Sequence, residues 1–60
     1  MNNKWKSRQS GRIITVIGDE IENKKKYRFF VFDDHPDDLC QWDLIYGPPW
    51  EEHFFSVNPA

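Results

Sequence analysis

The residues with most chemistry per unit length are "FDDHPDDLCQWD", residues 32–43, where five aspartates, a histidine, a cysteine and a tryptophan share twelve positions. Asp33, Asp34, His35, Asp37 and Asp38 carry enough oxygen and nitrogen donors for a divalent ion, with His53 as a remote candidate. Their spacing argues against a built metal site. The acids come in adjacent pairs around a stiff Pro36, not in the alternating, glycine-broken loop of a calcium site. One cysteine and two histidines separated by 17 residues make no zinc signature. A metal-binding acidic loop at 33–38 is therefore a minor alternative, and no metal or other cofactor is expected.

Nucleophilic chemistry is no better supported. Cys40 follows His35 in an acidic neighbourhood, which raises a thiol pKa and so disfavours the thiolate. A small core residue is the simpler reading of Cys40. Paired carboxylates at Asp37–Asp38 and Glu51–Glu52 have the composition for acid–base work, but a chain of 60 residues encloses little concave volume for a substrate. No catalytic residues are assigned, and an enzyme is not expected.

The elements that must position these residues are short. At 60 residues one domain is the ceiling, because a chain this small hides only about 60% of the surface its unfolded form exposes. The single cysteine excludes an intramolecular disulfide, so ten Phe, Tyr and Trp side chains must supply the core. No apolar run reaches 18 residues, and no apolar stretch follows the basic N-terminus "MNNKWKSRQSGR". These features, with an unpaired cysteine, lead to the expectation of a cytoplasmic, complete small gene product.

"RIITVI" (12–17) and "YRFFVF" (27–32) are rich in β-branched and aromatic residues and read as strands. They predict an antiparallel hairpin spanning about 12–21 and 25–33, with its turn near Asn23 and a bulge or early strand end at Gly18. Both faces of both ribbons are apolar, so the remaining chain is expected to wrap around and cover them.

Beyond the hairpin the patterns conflict. Asp34 or His35 as N-cap, Pro36 in the first turn, Asp37 and Asp38 at the positive dipole end, then Gly47 and Pro48–Pro49 as a stop, describe a helix over about 36–46. Yet Cys40, Trp42, Leu44 and Tyr46 alternate with Gln41 and Asp43 in strand fashion. The favoured expectation is a short helical turn at 36–39 and a strand over 40–46, followed in 49–57 by a helical turn leading into a short terminal strand. This order of elements is similar to small SH3-like barrels. The expected fold is thus a β-rich small single domain, an SH3-like small barrel built on the 12–21/25–33 hairpin with further short strands and one or two helical turns, over residues 11–60, with residues 1–10 as a flexible basic arm. An α+β fold with the 36–46 helix packed on the sheet is the alternative.

Charge is divided along the chain. Residues 1–28 carry Lys4, Lys6, Arg8, Arg12, Lys24, Lys25, Lys26 and Arg28 against three acids, a net of +5, whereas residues 29–60 carry seven acids and no Lys or Arg. In a small fold these halves pack together into a dipolar surface, and net charge speaks to association more than to fold. The functional expectation is a non-enzymatic protein–protein interaction module, a regulator or inhibitor. Its partner-binding candidates are Trp5, Trp42, Trp50, Asp34, Asp37, Asp38, Glu51 and Glu52, since aromatic anchors rimmed by charge make effective hot spots. The partner is expected to be another protein with a basic surface, such as a nucleic-acid-handling enzyme whose phosphate-binding groove it occupies. Small products of mobile elements, phages among them, often inhibit in this way. The alternative is a nucleic-acid-binding barrel using the eight basic residues with Trp5, Tyr27 or Phe29 stacking on bases. An acidic pI of about 5.5 speaks against it. Completion of the core by homodimerisation is a further expectation for so small a chain.

Overall fold

The computed structural model describes residues 3–57. Five strands, β1 (Lys4–Ser7), β2 (Ile13–Glu22), β3 (Lys25–Phe32), β4 (His35–Asp43) and β5 (Phe54–Ser56), form one antiparallel sheet in the order β4-β3-β2-β1-β5. One short helix, α1 (Trp50–His53), leads directly into β5. The β-rich expectation holds, with the hairpin, its turn and the terminal helix-then-strand where the residue patterns put them. Among the described residues no helix is long and apolar enough to cross a membrane.

The hairpin turn is tight because Glu22 pairs with Lys25, leaving only Asn23 and Lys24 to reverse the chain. Both take positive φ, 48° and 64°. This is the left-handed geometry that matches the twist of the flanking strands and that asparagine tolerates well. The register between β2 and β3 shifts between Val16 and Gly18. Ile17 is the extra residue, so Gly18 does mark a bulge.

Three expectations for residues 36–46 are corrected. Neither a helix over 36–46 nor a helical turn at 36–39 forms, because residues 35–43 are strand. Pairing Cys40 with Phe30 and Trp42 with Arg28 puts both side chains on the face that also carries Phe30, a gain that local helix signals do not match. The aspartate-proline signals serve a different purpose. Asp33 and Asp34 form the two-residue connection between Phe32 and His35, and the register then jumps to Val31↔Leu39. The intervening 36–38 segment lies outside the ladder, where the missing N–H of Pro36 costs nothing. The strand also ends at 43, not 46: the Asp43 Oδ1 accepts the backbone N–H groups of Ile45 and Tyr46 at 2.9 and 2.8 Å, turning the chain.

The expectation of a small barrel is corrected: the sheet is open, with β4 and β5 as its two edges. Closure requires those edges to meet with a consistent stagger, and the three-residue β5 offers little ladder to do so. Residues 44–54 instead cover one face. There Ile14, Phe30, Trp50 and Phe54 are buried, flanked by Trp5, Val16, Phe32, Cys40, Trp42 and Leu44. The rings meet mostly edge to face: Trp50 lies 5.4 Å from Phe30, 5.6 Å from Trp5 and 5.6 Å from Trp42. Such contacts add about 0.5–1.5 kcal/mol per pair beyond area burial. Residues 4–7, within the stretch expected to be an arm, are strand β1, hydrogen-bonded to β2 and β5 and carrying Trp5 to the edge of this core.

Candidate functional site

The acidic stretch splits into two halves with different partners. Asp33 accepts from the Lys4 ammonium at 2.7 Å and from the Thr15 hydroxyl at 2.6 Å. Asp34 accepts from two of the three Arg12 guanidinium nitrogens, Nε at 3.2 Å and Nη2 at 2.8 Å, while the same guanidinium lies 3.9 Å from the centre of the Phe32 ring. These hydrogen bonds hold both carboxyls below the usual range: Lys4 then Thr15 act on Asp33, and Arg12 acts on Asp34. Asp37 and Asp38 are exposed and form no salt bridge among the described residues. They line, with Asp34, His35 and Pro36, a shallow cavity of about 340 Å³. No group of three or more His, Cys, Asp or Glu side chains among the described residues is placed to hold a metal ion. The Cys40 thiol contacts the Asp38 carbonyl at 3.6 Å, and the side chain is half-buried beside the core.

The tryptophans occupy three different situations. Trp50 is 5% exposed and belongs to the core, so it presents no surface to a partner, contrary to its candidacy as an anchor. Trp42 is half-buried, donates its indole N–H to the Pro48 carbonyl at 2.9 Å and packs on His53 at 5.2 Å. Its polar handle is spent inside the molecule. Trp5 is half-buried and lines a cleft of about 310 Å³ with Val16, Ile17, Asp19 and Arg28. Glu51 and Glu52 are exposed on α1, and the Glu51 carbonyl accepts from the Arg8 Nε at 3.0 Å.

The basic candidates do not form one stripe. Lys4, Arg12 and Arg28 are bound to Asp33, Asp34 and Asp19 respectively. The Arg28 pair is bidentate, at 2.8 and 3.0 Å, and this guanidinium holds the Asp19 carboxyl down. Arg8 lies over the Phe55 ring at 5.2 Å. Lys24, Lys25 and Lys26 sit at or beside the hairpin turn, where Lys25 faces Glu22, and Lys6 lies on β1 facing Ile13.

The surface that residue-by-residue reasoning missed is the other face of the sheet. Ladder alternation puts Val31 and Phe29 of β3 on it, with Leu39 and Gln41 of β4 beside them. The bulged Ile17 and Leu39 are each 62% exposed. Together with Gly18, Asp19, Glu20 and Phe29 they line an open cavity of about 420 Å³. The signal was present in the sequence, as apolar residues at both parities of both ribbons. The expectation that the remaining chain would cover both faces is corrected, since residues 44–54 cover one. Comparison with protein-family models, with curated proteins and with solved structures finds no match to this chain.

Proposed function

We propose that this chain is a small non-enzymatic interaction module, with the strand order and pre-β5 helix of an SH3-like fold, that binds another protein through the uncovered sheet face. The observation that carries this reading is the pair Ile17 and Leu39, each 62% exposed on either side of Phe29. Clustered exposed apolar side chains of this kind mark interaction surfaces more often than isolated ones do. Glu20, Asp37 and Asp38 lie exposed near this surface or on the same edge strand and form no salt bridge among the described residues. That charge suits a basic partner, and rim charges of this type act mainly on association rate and specificity. A regulator that sits in the phosphate-binding groove of a nucleic-acid-handling enzyme has this chemistry. Direct nucleic-acid binding is the weaker reading, because Lys4, Arg12 and Arg28 are already engaged by carboxylates.

The test is affinity capture from cell extract with the wild-type chain, Ile17→Glu, and a Glu20→Gln/Asp37→Asn/Asp38→Asn variant, alongside a salt titration with single- and double-stranded DNA. A specific protein captured by the wild type, lost with Ile17→Glu and bound more slowly by the neutralised variant is the expected result. An unchanged capture list overturns the surface assignment. DNA affinity that falls steeply with salt and disappears when Lys24, Lys25 and Lys26 are neutralised establishes the nucleic-acid reading instead.

A further inference from the structure

The two edges of the sheet are unequal: β5 is three residues long, and β4 is nine. The Leu44 N–H donates to the Lys26 carbonyl at 2.8 Å, so Lys26 and Leu44 form a hydrogen-bonded pair continuing the β3–β4 ladder. Antiparallel ladders alternate, so the backbone groups of Trp42 and Cys40 also point into β3, and those of Leu39, Gln41 and Asp43 point away from the sheet. The Asp43 end is closed by its own loop. A Cβ on Gly47 would lie 2.5 Å from the Asp43 carbonyl oxygen, so that backbone is already in contact. The other end is closed by the out-of-register residues 36–38. Leu39 and Gln41 are left between them with outward-facing donors and acceptors, beside the apolar face.

We propose, resting on the interaction-module reading above, that the Leu39–Gln41 edge of β4 receives an extended, basic segment of another protein as a sixth strand. Strand addition of this kind takes affinity from main-chain hydrogen bonds and specificity from alternate side chains. Charge selects the occupant. β4 carries Asp37, Asp38 and Asp43 and no Lys or Arg. A second copy pairing Leu39 with Gln41 in antiparallel direction would bring the Asp37–Asp38 end of each strand toward the Asp43 end of the other, and like charges brought together across a ladder are destabilising. A Lys or Arg facing each of those ends reverses the sign. Between them, an apolar residue opposite Leu39 covers a side chain that is 62% exposed. The segment is therefore about seven residues, extended, with basic residues near both ends and a β-branched residue facing Leu39.

The probe is the capped peptide acetyl-Lys-Thr-Gln-Thr-Val-Thr-Lys-amide, added to the isotope-labelled chain and followed by amide NMR shifts and hydrogen exchange. The expected result is saturable binding that shifts and protects the Leu39 and Gln41 amides. The same peptide with Glu for both Lys, or with alternate backbone nitrogens methylated, binds at least about tenfold more weakly. No binding at millimolar peptide, indifference to N-methylation, or shifts confined to other strands overturns the proposal. So does concentration-dependent protection of Leu39 and Gln41 in the free chain, which identifies a second copy as the occupant. Loss of partner capture in Ile17→Glu with no peptide effect at β4 leaves the interaction module standing and removes the edge strand alone.

Discussion

The two faces of this sheet are built from similar residues and end in different states. On one, Ile14 and Phe30 are buried under residues 44–54, which supply Trp50 and Phe54; on the other, Phe29 and Val31 are half-buried and Ile17 and Leu39 are each 62% exposed. Composition does not distinguish them. What does is chain length: after the strands are made, one connecting segment remains, and it is spent on the face where Trp5 and Trp42 already stand. A large ring at the rim gives the returning chain more area to bury than a Leu or Ile does. The apolar side chains Ile17 and Leu39 are left in contact with solvent.

The sharpest way to break this comparison is Trp50→Ala. It empties the centre of the aromatic cluster and is expected to cost about 3–5 kcal/mol, against a total stability of about 3–9 kcal/mol for 60 residues. Chemical denaturation should find the variant largely unfolded. Trp50→Phe should lose much less. The Trp50 Nε1 is buried with no hydrogen-bond partner among the described residues, and removing an orphaned donor relieves its desolvation cost, which offsets part of the lost packing.

Glycines provide the second contrast. A Cβ at Gly47 meets the Asp43 carbonyl oxygen at 2.5 Å, while at Gly18 it meets nothing within 4 Å. Gly47→Ala must displace backbone and is expected to destabilise by about 1–3 kcal/mol. Gly18→Ala fills open space on the uncovered face and is expected to be neutral or to stabilise by up to about 1 kcal/mol. Equal melting temperatures for the two variants would contradict the close approach at the end of β4.

Which parts of this were legible depended on whether local and long-range signals agreed. Residues 12–17 and 27–32 combine β propensity with turn chemistry at Asn23, and they folded as read. Residues 34–39 carry strong helix-start signals that tertiary pairing overrode, because burying Cys40 and Trp42 against β3 requires an extended chain. β1 was hidden for another reason: "KWKS" has one apolar residue in four, and its pairing is set by partners in β2 and β5 that are remote in sequence. The ion pairs Lys4–Asp33 and Arg12–Asp34 likewise join residues 29 and 22 positions apart, which no local pattern reveals.

Those ion pairs grade by burial. Arg28 and Asp19 are the least exposed pair, at 22% and 29% of their side chains, and the guanidinium also lies 5.0 Å from the Trp50 ring centre. Arg28→Met, which keeps the apolar stem, is expected to cost about 1 kcal/mol after allowance for solvent screening. Arg12→Met, at an exposed pair, should shift the melting temperature less. Acid should act in the same sense. The Asp19, Asp33, Asp34 and Asp43 carboxyls are all held below the ordinary aspartate range, lowered chiefly by Arg28, Lys4, Arg12 and the Tyr46 N–H respectively. A depressed carboxyl stabilises fully above its unfolded value and loses that stabilisation as pH falls through the folded value. The melting temperature should therefore decline as pH falls below about 4. A melting temperature that rises on acidification would refute the paired geometry.

The smallest expected effect bears most directly on the uncovered face. Ile17→Ser and Leu39→Ser remove apolar surface that is already 62% in water, so each is expected to change stability by no more than about 0.5 kcal/mol. A large loss at either position would mean that its side chain is buried in solution, either by this chain or by a second copy, and protein concentration separates these cases. If dilution lowers the wild-type melting temperature but not that of Leu39→Ser, the face is a self-contact. If neither depends on concentration and both melt alike, the face is open in the isolated chain. Two large aliphatic side chains then stand in water where folding does not require them, which is the state the proposed binding face needs before a partner arrives.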